Sequence, residues 1–358
     1  MYTVYVDGEI LYSPLLSDKG FPMLSGKITT ELNKAGSFEF TLPPNNEMYD
    51  KIQKLKSIIT VTRDDEEIFR GRVLHDEKDF YKRKVIYCEG HLSFLLDSIQ
   101  RPYSFQGDIP ELFRRFLSNH NNQVDSWKQF KIGNVTVTDP NDYINRGSSQ
   151  YPNTFDEMIE KLVNIHGGYL KPRKEKSGIY LDYLAESGKV NPQIIEFGTN
   201  LLDITEYITA EDVFTVLIPL GAKQTDEEGN ETSRLTIESV NDGKDYIENE
   251  LGISLFGRIV KKQEWDDVTI ADNLLTKGTA YLASGIEMSV SLTLKAIDLY
   301  LIMKDTTPIA VGDSIKVISP PHNIDTFFQC SKIDLNLLEP DKSEYTFGVT
   351  FKALTEKV

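Results

Sequence analysis

The sequence is poor in cysteine, in tryptophan and in positive charge. Among its 358 residues are 2 Cys and 2 Trp, and 39 Lys+Arg stand against 55 Asp+Glu, which gives a formal net charge of −16. Two cysteines make no disulfide framework. The negative balance disfavours a protein that coats duplex DNA or docks on anionic lipid, because both tasks need a positive face.

Membrane and export signals are also missing. No apolar run approaches the ~20 residues that a membrane-spanning helix needs. The opening residues, MYTVYVDGE, lack the basic segment and apolar block of a signal peptide. The sequence therefore predicts synthesis in the cytoplasm and no membrane insertion.

Familiar catalytic motifs are absent as well. There is no His-Glu-x-x-His helix, no Gly-x-Ser-x-Gly elbow and no P-loop in the sequence. Cys88 and His91 form a lone C-x-x-H pair, for which a packing role is favoured over zinc binding. Carboxylates are so abundant that no glycosidase pair stands out. We expect no catalytic residues, no metal site and no cofactor.

The clearest pattern that is present runs from Ala310 to Phe351. Apolar residues alternate with polar ones around Lys316 and from Ile333 to Leu337. After the polar turn Glu339–Ser343 they alternate again from Tyr345 to Phe351. A period of two places the apolar residues on one face, so the three runs indicate an antiparallel meander with one solvated face.

Short alternating runs also fill the N-terminal region. Phe38, Phe40 and Leu42 share a face, and the polar turn Pro43–Asn46 ends that strand. Gly71 lies inside another run and indicates a bulge or a corner. Many short strands at even spacing are typical of a small barrel or sandwich.

The middle of the chain changes character. Leu112–Leu117 carries a helical apolar stripe with Pro110 in its first turn. Thr154–Glu157 has the pattern of a helix capping box. A pair of strands is predicted around Gly133–Asn134, and a hairpin over Tyr169–Tyr183. Together these features predict an α+β unit.

The two ends of the chain repeat one layout. In each, a strand precedes a turn, a second strand opens on paired apolar or aromatic residues, and a last strand follows a charged turn. The matching segments are Ser57–Val61 with Ser314–Val317, Ile68–Phe69 with Phe327–Phe328, and Lys84–Glu89 with Tyr345–Phe351. We interpret them as two copies of one barrel with helical material between and inside them. The alternative is a chance similarity of two meanders.

The chain resembles the prophage tail protein family, the N-terminal hub region of tail-associated lysins in long-tailed phages of Gram-positive hosts. The resemblance covers nearly the whole chain and lies in the order of segments that are weak one by one. They are FEFTLPPNNEMY, IFRGRV, YCEGHLSFLLDS, TFDEMIEKLVNIHGGYLKPR, VLIPLGA, KDYIENELGI and VGDSIKVISPPHNID. It implies a fold similar to the baseplate hub proteins of contractile-tailed phages, in which three chains close a pseudo-sixfold ring.

The predicted fold class is α+β and mainly β, with two tube-like antiparallel β-barrel domains and α/β domains between and inserted. The first barrel is expected over residues 1–98 and an α+β middle domain over 99–196. The second barrel is expected over 197–358, from strands at about 197–221 and 289–358, with an α/β insertion at about 222–288.

The resemblance implies a structural tail-tip hub and not an enzyme. The expected partners are other copies of the chain in a homotrimer, a distal tail or tube protein above, and a fibre, receptor-binding or lytic component below. DNA would pass through without specific binding, and the location would be the virion tail tip. Longer relatives carry a lytic domain after the hub, and the end at Val358 predicts its absence here. The alternatives are a peptidoglycan-degrading lysin or endopeptidase and a carbohydrate-binding attachment module.

Asp64, Asp65, Glu66 and Glu67 are the candidate site residues. They lie together on a predicted hairpin tip, where like charges are ordinarily solvated. The functional hypothesis is an acidic channel or interface loop. A negative channel wall would repel DNA phosphates over a screening length of about 10 Å at 0.1 M salt, which favours sliding over binding.

Overall fold

The computed structural model describes residues 1–139, 143–225, 231–266, 268–286 and 288–351. The protein is mainly β and of the α+β class, as predicted. Its contacts divide it into two compact units. The first comprises Met1–Thr205 and Leu292–Phe347, and the second comprises Glu206–Ser291 and the residues from Gly348 on. The three predicted domain ranges stay a prediction.

The N-terminal part of the first unit consists of seven strands. They are β1 (Tyr2–Val6), β2 (Glu9–Tyr12), β3 (Ser25–Glu31), β4 (Ser37–Leu42), β5 (Ile58–Arg63), β6 (Glu66–Lys78) and β7 (Lys84–Gly90). Alternate residues of these strands are buried, as in β4, where Phe38, Phe40 and Leu42 are fully enclosed. The rings of Phe38 and Phe40 stack with centroids 4.8 Å apart, at the centre of an apolar core.

The middle part of the first unit is α+β. It contains a 3₁₀ segment (His91–Asp97), β8 (Tyr103–Gly107), α1 (Ile109–Asn121), β9 (Phe130–Val135), β10 (Ile144–Ser148), α2 (Thr154–Met158), a π-helical turn (Ile159–Val163), α3 (Asn164–His166), β11 (Tyr169–Glu175) and β12 (Gly178–Leu184). The predicted stripe and first-turn proline of α1 are confirmed, and Asp108 forms a capping box with Glu111. The predicted β11–β12 hairpin is also confirmed.

Two local predictions in this part are wrong. The N-cap of α2 is Asn153, whose side chain accepts from the Asp156 N–H at 2.8 Å. Thr154 is instead buried, and the Glu157 carboxylate accepts from the Tyr103 hydroxyl at 2.7 Å. No strand pair turns at Gly133, because β9 is one strand that runs parallel to β12. A Cβ at Gly133 would lie 1.9 Å from Asp182 Oδ1, so glycine here permits close approach and not a turn.

Among its described residues, the rest of the chain supplies eleven strands and two α-helices. In order they are β13 (Val190–Glu196), β14 (Leu201–Thr209), β15 (Val216–Leu220), β16 (Lys223–Thr225), β17 (Glu231–Arg234), β18 (Ile247–Glu248), α4 (Glu250–Phe256), β19 (Val260–Glu264), α5 (Ala271–Ser284), β20 (Met288–Ala296), β21 (Ser314–Ser319), β22 (Ile324–Asn336) and β23 (Glu344–Phe351). In the second unit β15 pairs with β18 and β19, and α5 buries Leu274 and Leu282. Residues 352–358 of the predicted second barrel lie outside the described residues.

One strand order occurs twice in the main sheet. The neighbours run β3-β4-β7-β6-β5-β1 in the first strand set (β1 and β3–β7) and β14-β20-β23-β22-β21-β13 in the second strand set (β13, β14 and β20–β23). Matching strands follow one another along the chain in the same order. β5 and β21 both have 6 residues, and β6 and β22 both have 13. The repeat found in the sequence thus corresponds to a repeat in strand pairing.

The two strand sets differ at their outermost strands. β1 runs antiparallel to β5, whereas β13 runs parallel to β21. The connections also differ, because residues 32–36 link β3 to β4 while residues 210–287 link β14 to β20. Five strands of each set therefore share one order of pairing. The sets differ in the direction of the outermost strand, β1 or β13, and in the length of the connection from β14 to β20.

Candidate functional site: the junction of the strand sets and the β5–β6 turn

The two strand sets join through β3 and β22. These strands are antiparallel, with Lys27 opposite Asn336 and Glu31 opposite Lys332. The same edge of β22 pairs with β21 up to Gln329. The change of partner falls at Cys330 and Ser331, whose carbonyls accept from Gly312 N–H at 2.7 Å and Leu32 N–H at 3.0 Å. One long strand thereby holds both sets together.

A buried carboxylate fixes this junction. Asp334 is 8% exposed and accepts from Thr29 Oγ1 at 2.5 Å. Lys332 Nζ and Lys27 Nζ lie 2.7 Å and 3.3 Å from its oxygens. Burial opposes ionisation, yet the hydrogen bonds from Lys332 and Thr29 and the charge of Lys27 hold the pKa of Asp334 below its ordinary value. An acidic residue is tolerated inside the sheet because β3 supplies two of its three partners.

The candidate acidic residues occupy the turn between β5 and β6. Asp64 and Asp65 have φ of 47° and 70°, as a two-residue type I′ hairpin requires, and Arg63 faces Glu66 across the turn. Asp64 accepts from Lys304 Nζ at 2.5 Å and also contacts the Met1 amino group. The hydrogen bond from Lys304 is the main reason that the pKa of Asp64 falls to about 2.

The remaining three carboxylates of the turn differ in surroundings. Asp65 and Glu66 are exposed. Glu67 Oε2 lies 3.7 Å from Arg70 Nη1, and partial burial raises the pKa of Glu67 despite that positive charge. The four carboxylates of the turn are therefore not equivalent: Asp64 and Glu67 lie beside positively charged groups, whereas Asp65 and Glu66 are exposed to solvent.

A cavity of about 690 Å³ lies beside the turn within the first unit. Both glutamates of the turn line it, together with more basic than acidic side chains. The basic residues are Lys34, Arg63, Arg70, Lys171, Arg173 and Lys174, and the acidic ones are Glu31, Glu66, Glu67 and Asp298. Arg63 is 8% exposed, lies 3.8 Å from Asp298 and packs over the Tyr300 ring. The acidic-channel hypothesis stays a prediction.

A serine–histidine pair in the middle part was not predicted from sequence. Ser98 Oγ lies 2.7 Å from His120 Nδ1, the spacing of a nucleophile and its base. Ser98 is 1% exposed, however, and its oxygen also lies 2.7 Å from Thr154 Oγ1. Burial lowers the pKa of His120. A substrate has no access to a serine enclosed in this way. Ser98 instead links α1 to α2 through its contacts with His120 and Thr154.

The cysteines and His91 are packing residues in this fold. Cys88 and Cys330 are free and buried, and burial raises the pKa of both thiols. His91 is 8% exposed and meets the Phe94 ring edge-on. Burial, with the charges of Arg70 and Lys174, lowers the pKa of His91 to about 3. Over the described ranges, no group of three or more His, Cys, Asp or Glu side chains is placed to hold a metal ion.

Comparison with known families gives a match over the second strand set. Residues 189–358 match the model of the family described as "Prophage endopeptidase tail". Over these residues the chain is similar to that family. The resemblance predicted from the ordered segments is thereby confirmed. No curated protein sequence matches the chain.

Solved structures extend the likeness to the first strand set. The 43 kDa tail protein of prophage MuSo2 from Shewanella oneidensis has a TM-score of 0.63 at 14% identity, and the match covers 98% of each chain. The tail protein from Neisseria meningitidis MC58 has a TM-score of 0.65 at 14% identity, covering 98% of this chain and 96% of that one. Prophage tail protein gp18 from Listeria monocytogenes EGD-e has a TM-score of 0.55 at 15% identity, covering 92% and 89%. Identities this low show a shared fold.

The family match over residues 189–358 supports a structural role in a phage tail. The family description also contains the word endopeptidase, so an enzymatic role needs its own test. No helix among the described residues is both long and apolar enough to cross a membrane.

Proposed function

We propose that this chain is a tail-tip hub protein whose homotrimer forms a ring that continues the tail tube. The observation that carries the proposal is the doubled strand order, in which β3 and β22 join two similar strand sets side by side. Three chains would supply six such sets, which suits a ring under a sixfold tube. Head-to-tail association of like subunits gives a closed ring when the rotation between neighbouring subunits closes.

The proposed partners follow from that position. A distal tail or tube protein binds the upper face of the ring, and a fibre, a receptor-binding protein or a lytic component binds the lower face. DNA passes through the centre without specific binding, past the acidic turn of Asp64, Asp65, Glu66 and Glu67. In this proposal the three predicted domain ranges act as two ring-forming barrels with an α+β domain between them, and the chain itself performs no catalysis.

Electron microscopy of tail particles tests the position. Particles are induced from the lysogen and labelled with gold-conjugated antibody raised against the purified chain. We expect label at the end of the tail opposite the head, in a density with threefold symmetry. Label along the tube, label on the head, or a density of another symmetry would contradict the proposal.

Cell-wall hydrolysis is the second candidate, and the description of the matched family favours it. A zymogram on peptidoglycan tests it directly. A clearing band that Glu66→Gln abolishes, and that survives Glu9→Gln at a 69% exposed side chain outside the cavity, would establish an enzyme. We expect no clearing from any of the three proteins.

A further inference from the structure

β6 and β22 are matching strands that meet their neighbours in the same way. Beside β5, Val73 N–H donates to Ser57 O at 3.2 Å and Leu55 N–H donates to Val73 O at 2.6 Å. Beside β21, Cys330 N–H donates to Asp313 O at 2.8 Å and Gly312 N–H donates to Cys330 O at 2.7 Å. Val73 therefore corresponds to Cys330.

The positions of the flanking loops agree with this alignment. Leu55 and Gly312 both have positive φ, of 59° and 95°. In each strand set this residue donates its N–H to the long strand, and among the described residues the loop makes no backbone hydrogen bond to a later residue of that strand. Backbone pairing with the preceding strand and loop therefore ends at the same position of the long strand in both sets.

Beyond that point the two strands differ. In β22 the next residues pair with β3, from Lys332 to Asn336. In β6 the corresponding residues, Leu74–Lys78, pair with β7 on one edge and have no strand on the other among the described residues. Ile333 and Asp334 are 7% and 8% exposed, whereas the corresponding residues of β6, Asp76 and Glu77, are half-buried and exposed.

The matching open edge lies on β14. It occupies the place in the second strand set that β3 occupies in the first, beside β20 as β3 is beside β4. Leu201 makes an isolated bridge to Phe197, and the edge that follows has no strand partner within the described ranges. Leu202 is 54% exposed, and the Ile204 N–H donates to the neighbouring Asp203 Oδ1 at 2.9 Å.

We propose that the Leu74–Lys78 edge of β6 pairs with the Leu202–Thr205 segment of β14 from a second copy of this chain, as β22 pairs with β3 within one copy. An exposed strand edge is a template for a further strand. Here the first strand set presents the acceptor edge and the second presents the donor strand, so the contact repeats head to tail from copy to copy. The identity of the ring as a tail hub rests on the proposed function, but the pairing itself does not.

Photo-cross-linking identifies the paired segments. Benzoylphenylalanine replaces Leu202, and a matched control carries it at Leu15, which is 73% exposed. Equal amounts of isotopically heavy and light chains are mixed before irradiation, so that mixed-mass products report contact between copies. We expect the Leu202 probe to join peptides that contain Leu74–Lys78, and the Leu15 probe not to do so.

Hydrogen exchange tests whether the contact is a backbone pairing. On assembly, amides in residues 74–78 and 202–205 should exchange about tenfold slower or more, because strand pairing protects them. Amides in the exposed loop at Phe80, which is 92% exposed, serve as the control and should not change.

Both measurements are made on the purified chain and on tail particles that carry the probe. The tail particles test the contact between copies even where the purified chain is a monomer. Products that map to other segments in both preparations would overturn the pairing, even where the ring is present. A particle without a threefold ring would contradict the proposed hub, whereas the β6–β14 product would still establish the contact.

Discussion

The last residues of β6 and β22 are equivalent in the repeated strand order, yet one segment is exposed and the other is buried. Glu77 in β6 corresponds to Asp334 in β22. Asp334 is enclosed with Thr29, Lys27 and Lys332, whereas Glu77 is exposed. The difference comes from β3, which covers one strand and not the other. At these positions burial therefore depends on the strand that pairs alongside, and not on the strand that contains the residue.

A core substitution should break the first strand set with the largest effect. Phe38 is fully buried against Phe40 and Phe69. Phe38→Ala should lower the free energy of unfolding by about 3–5 kcal/mol, as expected for loss of a buried aromatic ring. Urea unfolding followed by circular dichroism measures the change. Phe80→Ala, at a 92% exposed position, is the control and should leave the midpoint unchanged.

The Asp334–Glu77 pair tests the comparison directly. Asp334→Asn removes the charge that Lys27 and Lys332 contact, and we expect a loss of about 1.5–3 kcal/mol, the range for hydrogen bonds to charged groups. Glu77→Gln at the matching position should change the unfolding free energy by under about 0.5 kcal/mol, as for an ordinary surface substitution. Equal losses in the two variants would mean that β3 does not create the difference.

Two strand glycines sharpen the picture of where the sheet is tightly paired. A Cβ at Gly71 would lie 2.2 Å from the Glu89 carbonyl oxygen, while a Cβ at Gly348 would meet nothing within 4 Å. Gly71→Ala should cost about 1–3 kcal/mol, the range for overpacking. Gly348→Ala should be neutral or slightly stabilising, because alanine reduces the freedom of the unfolded chain. Thermal unfolding of both variants distinguishes these outcomes.

The smallest expected effect is a pH dependence from His91. Its pKa is about 3 when folded, against about 6.5 unfolded. Between these values the unfolded chain binds the extra proton, so stability falls as pH falls. From pH 7.5 to 5.5 the loss attributable to His91 is about 1.4 kcal/mol. His91→Phe should lack this component, while His75→Phe at an exposed position should retain it.

Alternation predicted much of the fold because many of its strands bury one face. Phe38, Phe40 and Leu42 are all enclosed, and so are Tyr345 and Phe347 of the C-terminal meander. Gly71 was expected at a bulge or a corner; it pairs regularly with Ile59 and Gly90, and the register shifts lie to either side. The Thr154 prediction failed because a helix cap and a buried polar contact use the same residue types.

The candidate site was predictable only in its local part. The tight turn at Asp64 and Asp65 follows from their chain positions. The Lys304 partner of Asp64 lies 240 residues away, and the Thr29 partner of Asp334 lies 305 residues away. Contacts at such separations depend on how the two strand sets are joined, and no local pattern carries that information.

The long β14–β20 connection gives the fold a natural exchange point. The chain departs from β14 and comes back at β20, and these two strands are sheet neighbours. Replacement of the segment between β14 and β20 by another would leave the register of every other strand unchanged. Recombination between related tail genes should accordingly have its crossovers near codons 206 and 291, where the compact units meet along the sequence.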